Sequence, residues 1–309
     1  MPKKKKFIKK VVPLWLALIL TINSSVLVGL SEYYILKRRF AKQVKEILIS
    51  NDPEALVKDA TAKVLPVSGY QTSLTWGQLG KKLVEVGAID QQKYEKIYNS
   101  NTNGKQDLDI FSENFDKKIV INENNSRFVV NTLWALGLAN KSKVLDQGPM
   151  RTGGNPTKNF ASTGGWTLGS KPVMEIYSSQ ELIPLSSEQQ DLVEKIAGNV
   201  YRPCCGNHTA FPDCNHGMAA LGYIELAVAS NLSEDQIYKD LLAFNSYWFP
   251  QTYVEMAVYF QQEDGLSWEQ VDAKKALSND FSSSRGSQKI KQAVSSVPGL
   301  KSQGGSCGA

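Results

Sequence analysis

Three thiols and two imidazoles crowd into thirteen residues of this chain, Cys204 to His216, inside the stretch Tyr201–Leu221, YRPCCGNHTAFPDCNHGMAAL. The 309 residues hold only four cysteines and two histidines, so chance placement would have scattered them. Thiolates and imidazoles are the side chains that bind soft metals, and a thiol is also a nucleophile and a redox group. The spacing is Cys204-Cys205, eight residues, then Cys214-x-His216. A loop carrying two adjacent thiols can fold back on a thiol and an imidazole at a helix start. Cys204, Cys205, Cys214 and His216 are therefore the expected ligands of one Zn or Cu ion, in a Cys₃His set. His208 and Met218 stand as reserve ligands. Asp213 is a carboxylate that could orient an imidazole from behind, or simply cap the helix.

Two other chemistries use the same residues. Cys214 could pair with Cys204 or Cys205 in a disulfide that staples the loop to the helix, leaving one cysteine to reach Cys307. The protein would then be a stapled interaction module without metal. Alternatively Cys205 or Cys214 is a nucleophile, with His208 or His216 as base and Asp213 as orienter, in a thiol-based redox or Cys-His enzyme. Nothing else in the chain suggests a substrate site or an oxyanion hole, so the catalytic residues of such an enzyme stay unknown. The zinc-type spacing of two to four residues between cysteines is absent, and so is the C-x-x-C-H of covalent haem attachment.

The order Pro203-Cys204-Cys205-Gly206, then His208, then Asp213-Cys214 resembles the PCYCGC-type segment of cysteine-rich bacterial membrane-anchored surface proteins. The resemblance covers fewer than about twenty residues, and the chain lacks the alternating C-x-C-x-C and any lipobox cysteine at its N-terminus. It implies a membrane-anchored, extracytoplasmic protein that handles metals or thiols. The rest of the chain resembles no family.

The elements that must position the cluster read as helices. Asn51-Asp52-Pro53-Glu54 is a helix start, with a capping residue, a first-turn proline and an acid, and that helix should run to about Leu65. Thr75–Val86 reads as a short helix closed by Gly87, and Asp90 caps another through Ile97. Lys117–Ile121 is a short strand. Phe128–Leu138 is a core helix. Ser186 or Ser187 opens Gln189–Asn199, with Ser187 and Gln190 read as a capping box. Tyr201–Pro212 is then loop, and Asp213 caps Cys214–Ala229. Ser233 with Gln236 reads as a second capping box, opening a helix to about Tyr247; Tyr253–Phe260 resumes after Pro250, and Ser267 with Gln270 caps a last short helix. The aromatic residues between Phe244 and Phe260 fit a helical core better than a pocket. From Ser278 the Ser/Gly/Lys-rich chain is expected to be disordered to its end. The fold class is mainly α, with a helical domain over 51–277.

The N-terminus sets location. Residues 1–10 carry six lysines, and Val11–Leu30 is a run of twenty uncharged residues, long enough to cross a hydrocarbon core as one helix. No signal-peptidase site is evident, so this segment reads as an uncleaved signal-anchor, followed by a juxtamembrane helix over 31–50. The denser lysines lie on the N-terminal side. The positive-inside rule then puts residues 1–10 in the cytoplasm and the main domain outside it. The formal charge of +5 divides unevenly, +10 over residues 1–45 and −5 over the remainder. A mildly acidic domain excludes phosphate-backbone recognition as a main role, leaving anionic lipid rather than nucleic acid as the partner of the basic end.

Two apparent motifs fail on inspection. Asn99–Asn114 resembles a calcium loop but puts Ile110 where the bidentate Glu belongs. Gly164–Lys171, GGWTLGSK, reverses the Lys-Ser/Thr order of a phosphate loop. The Gly-rich segment Asp146–Ser170 around it is either an ordered loop bringing Phe160 and Trp166 over the site or a mobile surface loop.

Overall fold

The structure, a computed structural model, describes residues 32–33, 35–39, 52–98, 108–111 and 115–300. The chain divides into two compact units, Met1–Asp52 and Pro53–Ala309. In the first, residues 32–33 and 35–39 are helical and exposed. The expected anchor, 11–30, lies outside the described residues. Among those residues no helix is long and apolar enough to cross a membrane.

The second unit is mainly helical. Its longer helices are α1 (Pro53–Val64), α2 (Leu79–Glu85), α3 (Gln91–Tyr98), α4 (Ser126–Ala139), α5 (Ser187–Ala197), α6 (Asn215–Ala229), α7 (Glu234–Trp248), α8 (Pro250–Glu263) and α9 (Ser284–Ala293), with one-turn helices filling the connections. Strands β1 (Tyr70–Gly77) and β2 (Phe115–Ile121) form an antiparallel pair. This corrects the reading of Thr75–Val86 as one helix. Thr72, Leu74 and Trp76 are buried on one side of β1, while Ser73 and Thr75 between them face outward. The period-two pattern of a strand wins there, and the helix begins only after Gly77, whose φ of +51° makes the turn.

Helices α4 and α6 form the centre, each buried on nearly all sides. They cross at a glycine notch. A Cβ at Gly137 would stand 2.1 Å from the Met218 carbonyl oxygen, and one at Gly222 would stand 2.5 Å from that of Leu133. Only glycine allows backbones this close. Wholly buried helices carry little amphipathic signal, which is why neither shows a polar face in the sequence.

A polar knot ties the strand pair to this centre. Asp240 of α7 accepts hydrogen bonds from the Tyr70 hydroxyl of β1 (2.6 Å), from the Tyr223 hydroxyl of α6 and from Gln236 Nε2 (2.8 Å). At the start of α7 the expected box reduces to its first half, the Ser233 hydroxyl accepting the Gln236 N–H. The box before α5 is Ser186 with Gln189, one residue earlier than the Ser187/Gln190 reading. The Ser267/Gln270 box is present.

The tail is ordered well past Ser278. Asn279–Ser282 and α9 are helical, and Ile290, Val294 and Val297 are buried. Low apolar content suggested disorder, but these three residues sit at spacings of four and three. They lie on one side of a polar helix and its exit, and α9 packs that side on α8. Tyr253 of α8 hydrogen-bonds Ser282 at 2.7 Å.

Candidate metal centre

The cluster sits on the loop between α5 and α6, and that loop is pinned at many points. Thr209 donates from its N–H and its hydroxyl to the Val200 carbonyl, and Ala210 N–H reaches Ala197. Tyr201 N–H donates to Leu277 O, and Ser284 N–H to Cys205 O at 2.9 Å, so the C-terminal segment braces the thiol loop from behind. The Gly-rich segment is ordered. Ser162 N–H donates to Asp213 O, Phe160 packs edge-on against Phe211 at 5.5 Å, and Trp166 is buried against Trp134, donating to Ala88 O.

Cys204, Cys205 and Cys214 carry free thiols whose sulfurs lie within 4.8 Å of one another, close enough to hold one metal ion. The Cys204 and Cys214 sulfurs stand 3.5 Å apart, well beyond the ~2.05 Å of a disulfide. Tetrahedral Zn–S bonds of about 2.3 Å would place two sulfurs a little under 4 Å apart. The spacing therefore suits a shared ion.

Cys214, not Asp213, is the N-cap of α6, and its sulfur accepts the Gly217 N–H at 3.4 Å. Asp213 thereby escapes the capping role and turns to Arg202, the residue the sequence did not flag. Arg202 is 1% exposed and sits among the three thiols. It donates Nε to Cys214 Sγ (3.0 Å), Nη1 to Asn207 O (3.1 Å), and Nη2 to Phe211 O (3.3 Å) and Asp213 Oδ1 (2.8 Å). Asn207 Nδ2 donates to the other Asp213 oxygen at 2.8 Å. The signal for it is Gly217, where a Cβ would lie 2.4 Å from Arg202 Cζ. A glycine at the third position of a helix costs propensity, and here it makes room for a guanidinium.

Electrostatics divide the three thiols. The Cys204 and Cys205 thiols, then the Arg202 charge, hold Cys214 well below the ordinary cysteine value, against the opposing effect of burial. Cys204 is pushed up by its two thiol neighbours and by burial. Cys204 pulls Cys205 down, but Cys214 and burial outweigh it and leave Cys205 at about 11. Burial works against the Arg202 charge, yet the three sulfurs raise it above its ordinary value. Of the three, Cys214 is the thiol most favoured to ionise, and it lies beside a fixed cation.

Three of the four expected ligands thus meet, while His216 does not come within 4.8 Å of all three sulfurs. Its ring packs on Phe249 at 4.5 Å and on Trp248 at 5.6 Å, and burial lowers it to about 4, keeping it neutral. Its buried Nδ1 has no hydrogen-bond partner. The reserve ligands also serve otherwise. His208 stands edge-on to Tyr201, and Met218 is fully buried in the α6 core. Asp213 supports the site through Arg202 rather than through an imidazole. Cys307 lies outside the described residues.

Comparison of the chain with protein-family models, with curated proteins and with solved structures yields no match.

Proposed function

We propose that this chain is a membrane-anchored, extracytoplasmic protein that binds one soft transition-metal ion, Zn or Cu, through Cys204, Cys205 and Cys214. The observation that carries the reading is three free sulfurs within 4.8 Å of one another on a braced loop. Cys214 is shifted toward thiolate by its two neighbouring thiols, with the buried Arg202 guanidinium adding to them, which favours the deprotonation that metal binding requires. Loading then releases the protons of Cys204 and Cys205, so affinity falls as the medium is acidified. The lysine cluster and the apolar run 11–30 support the anchor and its N-in orientation. The PCYCGC-type resemblance points to the same compartment.

Elemental analysis with thiol counting tests the metal reading. Metal-loaded protein should resist alkylation at the three cysteines until a chelator is added. The 3.5 Å approach of Cys204 to Cys214 favours one second reading, a dithiol that closes to a disulfide. Metal-free protein with two thiols fewer than its cysteines would establish that instead. Protease added to intact cells should remove the domain, and full protection would reverse the topology.

A further inference from the structure

Taking the metal site above as its starting point, we infer that it is three-coordinate and all-sulfur, and that it therefore takes Cu(I) in preference to Zn(II). Among the described residues, the three sulfurs form the only group of three or more His, Cys, Asp or Glu donors within 4.8 Å of one another. Asp213 and Asn207, which lie against the thiols, are committed elsewhere, and neither His208 nor His216 belongs to the group. Asp213 Oδ1 comes within 3.9 Å of Cys205 Sγ but is the Arg202 ion-pair partner, and its other oxygen accepts from Asn207. The Asn207 carbonyl accepts from Arg202 Nη1. His216 is held by its packing on Phe249 and Trp248.

Zinc in protein sites is almost always four-coordinate, with three protein ligands plus water when the site is open. Cu(I) is a softer ion that thiolates select, and it has no need of a fourth donor. Arg202 supports this set. Its Nε–H on Cys214 Sγ leaves that sulfur free for a single metal bond, and its charge partly balances the excess negative charge of three thiolates around a monovalent ion.

The test uses the reduced full-length chain carrying Cys307→Ala, so that no other thiol can join the site. It is loaded with Cu(I) alone, with Zn(II) alone, and with both in competition. The inference expects one bound Cu(I), retained against a large excess of Zn(II), with X-ray absorption showing sulfur scatterers only. Cys205→Ser should weaken Cu(I) at least about tenfold with the circular dichroism spectrum unchanged. Unchanged Cu(I) affinity in that folded variant overturns the three-sulfur set. Zinc that displaces Cu(I) and shows a nitrogen or oxygen neighbour overturns the inference while the metal site stands. Binding of neither ion overturns the metal site itself.

Discussion

Removing the Arg202 guanidinium would strip the cluster of four hydrogen bonds and leave the Asp213 carboxylate without its cation. Arg202→Met is expected to destabilise the fold by about 3 kcal/mol, the lower end for breaking one side of a buried pair, because Asp213 keeps Asn207 and some solvent. Gly217→Ala is the gentler probe, since its Cβ must displace the guanidinium. In both variants the alkylation of Cys214, followed by mass spectrometry across a pH series, should shift toward higher pH. An unmoved profile would mean that Arg202 does not hold the thiolate. At this scale the sequence was informative about which atoms meet but not about what charges them. Cysteine crowding is visible in one dimension. The buried Arg202 is visible only once Cys214 takes the cap and Asp213 is released toward it.

Helix α6 joins the site to the core, and two of its residues test that link. Gly222→Ala would press a Cβ against the Leu133 carbonyl oxygen and the Gly137 nitrogen, both backbone, so α4 and α6 must separate. A loss of roughly 1–3 kcal/mol is expected in urea unfolding, and a neutral result would contradict the close crossing. Glu225, one turn from Gly222, is fully buried, and burial raises its carboxyl from 4.5 to about 8, against the opposing pull of Ser142 and of Asn140 Nδ2 at 3.0 Å. Ser142 stops short of a regular hydrogen bond, since its Oγ and Glu225 Oε1 are both unpartnered. A carboxyl raised in the folded state is retained without cost below 4.5. It costs stability progressively as pH rises from 4.5 to about 8, on the order of 3–5 kcal/mol at the plateau above that. Glu225→Gln should therefore stabilise the protein much more at about pH 8 than at about pH 5, and equal gains at both would refute the buried acid. Helix positions were mostly legible, because caps such as Ser233 and the Pro53 start are local chemistry. The β1 strand was not, because its partner β2 lies some 40 residues on and only pairing distinguishes it from a short helix.

In the second unit as a whole, the C-terminal segment behaves as part of the core rather than as a tail. Ser284 N–H on the Cys205 carbonyl and the burial of Ile290, Val294 and Val297 couple it to the thiol loop. Truncation after Ser278 should cost at least about 3 kcal/mol from lost apolar burial and should speed alkylation of Cys205. A truncated protein of undiminished stability and unchanged thiol reactivity would contradict that coupling. Composition alone concealed this segment, since its three apolar anchors are diluted by Ser, Lys and Gln. Anomalous diffraction at the absorption edge of the bound metal tests most directly whether one ion sits among Cys204, Cys205 and Cys214. A single peak about 2.3 Å from each of the three sulfurs is expected. A peak elsewhere, or continuous density between Cys204 and Cys214 with no peak, would contradict it.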